Sequence, residues 1–204
     1  SALINDTQFS IAATLCETPV SPYATGTARG RFESNVVIDT ERTIFDNVKT
    51  LLSGMRGHTP YQNGQYGLVI EDSMATGYVP FEFTEDIIIG SLDINSESKQ
   101  TKFNRVITTY TNKDRKWQED QVQYPPGGST LEQGYLTEDN NYILENRVTL
   151  DTVTDRYLAE DFAELILKRS RQSMTARITA TSEALNTAIG DIVNITHSTP
   201  GWAS

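Results

Sequence analysis

Apolar residues recur at helical spacing in two long stretches and alternate with polar ones in several shorter stretches, a pattern that reads as a strand-rich chain carrying a few helices. Over about residues 41–55, Ile44, Val48, Leu51, Leu52 and Met55 fall on one side of a predicted helix. Asp39 or Thr40 would cap it, Glu41 suits its first turn, and Gly57 would stop it. A second helix is predicted over 156–172, capped by Thr154 or Asp155, with Leu158, Phe162, Leu165, Ile166 and Arg169 along one side. Its Glu164 and Lys168 stand at favourable spacing, and Lys168, Arg169 and Arg171 suit its C-terminal dipole. Phe9, Ile11, Ala12 and Leu15 predict a short helix at 6–16, with Asp6 or Thr7 as its cap.

Strands are predicted at 31–38, 66–70, 80–83, in a block over 91–124, and at 142–150, 174–181 and 192–196. Asn63-Gly64, set between Tyr61-Gln62 and Gln65-Tyr66, specifies a hairpin with a type I′ turn. The stretch 117–124 alternates without a strongly apolar face, which fits a strand at an edge or an interface. Residues 18–30, 71–79 and 111–116 read as loops or turns, 84–90 fits either a helical turn or a strand, and Pro125-Pro126-Gly127-Gly128 is the best linker signal. Strand, helix and hairpin at about 31–70 return as strand, helix and two strands at 142–196. The expected division is therefore an N-terminal helix and loop at 1–30, a first β-rich module at 31–128, and a second at 129–204 carrying helix 156–172, with strand exchange between modules allowed.

Composition narrows the function. The 204 residues carry a net charge of −10, the opposite of the basic footprint that grips phosphate, so specific nucleic-acid binding is not expected. No apolar run reaches the ~20 residues of a membrane span. The single cysteine, Cys16, precludes an internal disulfide.

Little in the chain promises chemistry. His58 and His197 have no ligand at metal-binding spacing, and no nucleophile elbow, phosphate loop or dinucleotide fingerprint is present. Acidic pairs such as Glu85-Asp86 and Glu138-Asp139 are scattered, whereas a glycosidase needs two carboxylates across one sugar bond. The expectation is a non-enzymatic protein with no catalytic residues, no cofactor and no metal. Trp117, Trp202, Tyr61 and Tyr66 are the candidate interface residues, since large aromatics concentrate at contacts. Core packing and cross-strand pairing are the competing readings.

Six ordered stretches carry a family resemblance: 39–57 (DTERTIFDNVKTLLSGMRG), 61–71 (YQNGQYGLVIE), 81–94 (FEFTEDIIIGSLDI), 103–124 (FNRVITTYTNKDRKWQEDQVQY), 157–172 (YLAEDFAELILKRSRQ) and 190–202 (GDIVNITHSTPGW). The chain resembles the central tail-tip or host-specificity protein of long-tailed bacteriophages, related to the baseplate hub of contractile tails; the first thirty residues match poorly. The resemblance implies an α+β, β-rich fold of two β-barrel-like modules, each with a packed helix. It implies a structural hub, a homotrimer in the full-length protein, whose ring joins tail tube to tip. Distal tail and tape measure proteins would be its partners, the virion tail tip its location, and the bacterial cytoplasm its place of synthesis. It also implies that Ser204 marks a cut through a longer polypeptide. The alternatives are a module binding a host-surface receptor or glycan and, less favoured, a cell-wall-degrading enzyme.

Overall fold

The computed structural model describes residues 3–20, 29–70, 80–96, 102–172, 174–187 and 189–198. Helix α1 (Asp6–Glu17) begins where predicted, but its cap is Asn5 rather than Asp6 or Thr7, the Asn5 side chain accepting the Gln8 amide at 3.2 Å. After it, β1 (Pro19–Val20) pairs with β2 (Arg29–Gly30).

The predicted strand at 31–38 belongs to no sheet. Its backbone is fastened individually instead. The Asn35 amide donates to the Thr152 carbonyl at 3.1 Å and the Asn35 side chain to Thr154 Oγ1 at 2.8 Å. Phe32 is buried, yet Val37 is 90% exposed.

Helix α2 (Ile44–Ser53) is shorter than predicted. Thr43 is its cap: the Asp46 amide donates to Thr43 Oγ1 at 3.1 Å, and that hydroxyl donates back to the Asp46 carboxylate at 2.6 Å. The helix ends at Gly54 rather than Gly57. Gly54 is required by packing, since a Cβ there would stand 2.4 Å from Thr152 Oγ1. The predicted apolar stripe is only partly covered: no residue of α2 is buried, and Ile44 and Phe45 are 84% and 61% exposed.

Beyond α2, β3 (Gly57–His58) pairs with β6 (Val69–Ile70), and between them β4 (Tyr61–Gln62) and β5 (Gln65–Tyr66) form the predicted hairpin. Asn63 and Gly64 take φ of 53° and 78°, the left-handed pair that a type I′ turn demands. Residues 3–5 lie beside the hairpin, Tyr66 donating to the Leu3 carbonyl at 2.8 Å and Asn5 to the Tyr66 carbonyl at 3.0 Å.

Strands β7 (Phe81–Phe83) and β8 (Asp93–Ser96) precede the longest strand, β9 (Arg105–Asn112), which turns back into β10 (Gln118–Tyr124). The predicted linker at 125–128 holds a cis Tyr124-Pro125 bond and a buried Pro125, and leads into a helix absent from the sequence reading, α3 (Thr130–Glu138). Then come β11 (Glu145–Leu150), helix α4 (Arg156–Arg171), β12 (Met174–Arg177) and β13 (Val193–Ile195).

The central sheet has the order β10-β9-β11, with β10 antiparallel and β11 parallel to β9. Strand β9 alternates strictly, burying Val106, Thr108, Tyr110 and Asn112. Helix α4 lies against β9 and β10 and buries Leu158, Ala159, Phe162, Ala163 and Leu167. The predicted face was displaced: Leu165 and Ile166 are half-buried and Arg169 is exposed. The small Ala159 and Ala163 let α4 approach closely enough for the fully buried Thr108 hydroxyl to donate to the Ala159 carbonyl at 2.9 Å. The main core draws Ala12, Phe32 and Ile70 onto Tyr110, Val122, Val153, Leu158 and Phe162.

Among the described residues the remaining sheets are two-stranded, and no sheet closes into a barrel. Both helices and strands are present, so the α+β class holds; the barrel shape implied by the resemblance is not seen. Two pairings join segments far apart in the chain: β7 pairs in parallel with β13, and β8 antiparallel with β12.

Candidate interaction surface

The two tyrosines of the hairpin are brought together. Tyr61 and Tyr66 face each other in register, ring centroids 4.8 Å apart and planes inclined at 52°. They are 59% and 51% exposed, so the pair braces its short hairpin and still presents aromatic surface. Trp117 sits on a different hairpin, in the turn from β9 to β10, rather than opening a strand as predicted. There Lys116 and Trp117 take left-handed φ of 56° and 61°, the Trp117 amide donates to the Asn112 carbonyl at 3.0 Å, and the indole is 61% exposed. Trp202 lies outside the described residues.

Sequence reasoning missed further exposed apolar side chains, Val37 and Ile38 before α2 and Ile44 and Phe45 in its first turn. The Lys49 ammonium stands 4.5 Å from the Phe45 ring centroid. The stripe was legible, but an amphipathic stripe facing a core and one facing a partner have the same periodicity.

Three charged nodes set the electrostatics. The Arg56 guanidinium, its side chain 10% exposed, lies over the rings of Phe32 at 4.9 Å and Phe162 at 5.7 Å and pairs with Asp161 at 3.2 Å. It thereby ties the end of α2 to α4.

The second node is Glu132, the only buried residue of α3. Its carboxylate accepts from the Gly128 amide at 2.6 Å, Arg105 Nη2 at 2.8 Å and Gln123 Nε2 at 3.0 Å. The Gly128 amide, followed by Arg105 and Gln123, outweighs burial and holds its pKa below the ordinary value.

Asp139, at the other end of α3, accepts from Asn104 at 3.0 Å and Arg171 at 2.8 Å and pairs with Lys102 at 3.1 Å. Burial works to raise its pKa, but the bonds from Arg171, Asn104 and Lys102 prevail and lower it. Both carboxylates therefore stabilise the fold fully above the free-chain pKa of about 4, and that stabilisation is lost as pH falls through their depressed values. Elsewhere, burial and the nearby Asp120 carboxylate push the Tyr110 phenol up to about 12. Asn112 donates to that same carboxylate at 2.8 Å.

The histidines are separate. His197 Nδ1 stands 3.8 Å from Glu85, which also accepts the Ser198 amide at 2.7 Å, while His58 packs beside Gly190. Among the described residues no cluster of three or more His, Cys, Asp or Glu is placed to hold a metal, and no helix is long and apolar enough to cross a membrane. The arrangement offers exposed aromatic and aliphatic side chains on the β4–β5 hairpin, the β9–β10 turn and α2, and carboxylates engaged in ion pairs that hold α3 to the central sheet and α4.

No family model matches the chain. It is similar to the baseplate hub protein pb3 of Escherichia phage T5, 21% identical over 168 residues, which cover 82% of this chain and 17% of that protein.

Proposed function

We propose that this chain is a structural, non-enzymatic part of a phage tail tip or baseplate hub, which works by assembling with copies of itself and with other tail proteins. The observation that carries the reading is the likeness to a baseplate hub protein over 82% of the chain. Its physical support is the surface. Large apolar side chains stay outside, Val37, Ile38, Ile44 and Phe45 among them, and the Tyr61–Tyr66 pair presents aromatic surface as well. Two-stranded ribbons are marginal alone and gain stability when a neighbour covers them.

In the finer reading the full-length protein is a homotrimer whose ring connects tail tube to tip, touching distal tail and tape measure proteins in the virion, after synthesis in the bacterial cytoplasm. The rival reading, recognition of a host-surface receptor or glycan, draws its support from the exposed Tyr61–Tyr66 pair alone.

Sedimentation velocity over about a hundredfold range of concentration tests self-assembly. The average mass is expected to rise with concentration. Replacing both Ile44 and Phe45 by Asp leaves the circular dichroism unchanged, because neither is buried, and weakens association by about tenfold or more. A chain that stays monomeric throughout, or associates equally well with both substitutions, would sink the reading.

A further inference from the structure

We propose that α3 is a strap held by two ion-pair latches, able to leave the central sheet as a unit while β9 and α4 keep their structure. Of its nine residues only Glu132 is buried, Tyr135 and Leu136 are half-buried, and the rest are exposed. A helix of this length does not persist alone in water and needs tertiary contacts. Apolar burial is a small part of those contacts, since the helix lends only Tyr135 to the cluster of Val106, Ala163 and Leu167.

What fastens it is charge at both ends. At the first turn, Glu132 reaches Arg105 on β9 and Gln123 on β10, and Arg105 is shared with Glu145 of β11, 3.7 Å away and itself paired with Arg147. At the last turn, Asp139 is gripped by Lys102 and Asn104 from the approach to β9 and by Arg171 of α4. Arg171 also pairs with Glu138 and lies 4.3 Å from the centroid of the Tyr135 ring. On α4, Glu164 is engaged by Lys168. Neutralising Glu132 or Asp139 takes the more buried carboxylate from Arg105 or Arg171 and leaves Glu145 or Glu138 beside it, so each latch weakens once its carboxylate is neutralised. With the strap off, the cluster of Val106, Ala163 and Leu167 loses the cover that Tyr135 provides. The inference stands independently of any role in assembly.

Native-state hydrogen exchange on the full chain tests it. In Glu132→Gln and in Asp139→Asn at neutral pH, protection of the amides of residues 134–138 is expected to fall by about tenfold or more, while amides of β9 and α4 change little. Wild-type protein supplies the same comparison without mutation: at about pH 3, below the free-chain carboxylate range and into the depressed values of Glu132 and Asp139, α3 is expected to lose protection before β9 and α4. The strap is refuted if α3 exchanges only with global unfolding in the wild type at both pH values. It is equally refuted if either substitution lowers protection evenly across α3, β9 and α4, or leaves α3 unchanged.

Discussion

Phe162→Ala is expected to lower the stability of the protein by about 3–5 kcal/mol, the range for truncating a buried aromatic. The ring is 7% exposed on the sheet-facing side of α4 and belongs to the main core with Phe32, Tyr110 and Val122. It is also one of two rings beneath the Arg56 guanidinium, so its loss removes an apolar filler and a cation–π partner together. Phe162→Leu keeps most of the volume and should cost less than half as much, about 1.5 kcal/mol or below. Urea unfolding monitored by circular dichroism checks both. Because the core also takes in Ala12 of α1 and Ile70 of β6, probes on those elements should report the same lowered midpoint. An unaltered midpoint would mean that the ring packs nothing.

Asn104→Ala should cost nearly as much, about 3 kcal/mol, although it deletes only a small polar group. Asn104 is 1% exposed and its side chain makes three bonds. Its Nδ2 donates to Asp139 at 3.0 Å and to the Tyr142 carbonyl at 2.7 Å, and its Oδ1 accepts the Leu144 amide at 2.9 Å. Alanine leaves the amide of half-buried Leu144 without its partner, and the Tyr142 carbonyl without its donor, at the point where the chain enters β11. Since β11 must register in parallel with β9, Glu145 against Arg105 and Leu150 against Tyr110, the loss should loosen β11 specifically. Urea unfolding gives the magnitude, and exchange of the β11 amides gives the location. A cost below about 1 kcal/mol would show that these bonds are replaced readily by water.

The elements that were legible are those whose determinants are local. The Asn63-Gly64 turn requires left-handed backbone and takes it, and α1 and α4 appear within a residue or two of their predicted bounds. Helix α3 is not legible in apolar periodicity, because it is held through the buried Glu132 and not through an apolar stripe. Its start is nonetheless spelled out by Ser129 and Glu132, spaced as a capping box, with the Glu132 amide donating to Ser129 Oγ at 3.2 Å. The 31–38 error has the opposite origin: β-prone residues were present, but no neighbouring strand offered a ladder, and two threonines beyond position 150 took up Asn35 instead. The pairing of β7 with β13 was out of reach, because nothing local in three or four residues names a partner so distant. Of the proposed contact residues, the Tyr61–Tyr66 pair followed from hairpin register. The exposed side of α2 did not, since covering is a property of the whole fold.

The distance between those paired strands bears on how the protein is made. A nascent chain releases residues 81–96 from the ribosome well before residues 174–195, while the strands of the central sheet and α4 lie between them, and the other core residues Ala12, Phe32 and Ile70 come earlier still. The interior can therefore consolidate first, leaving β7 and β8 as bare edges until the final segment emerges. A translation product stopped just after residue 172 would hold a complete centre yet display two strands with no mates, the kind of edge that seeds aggregation.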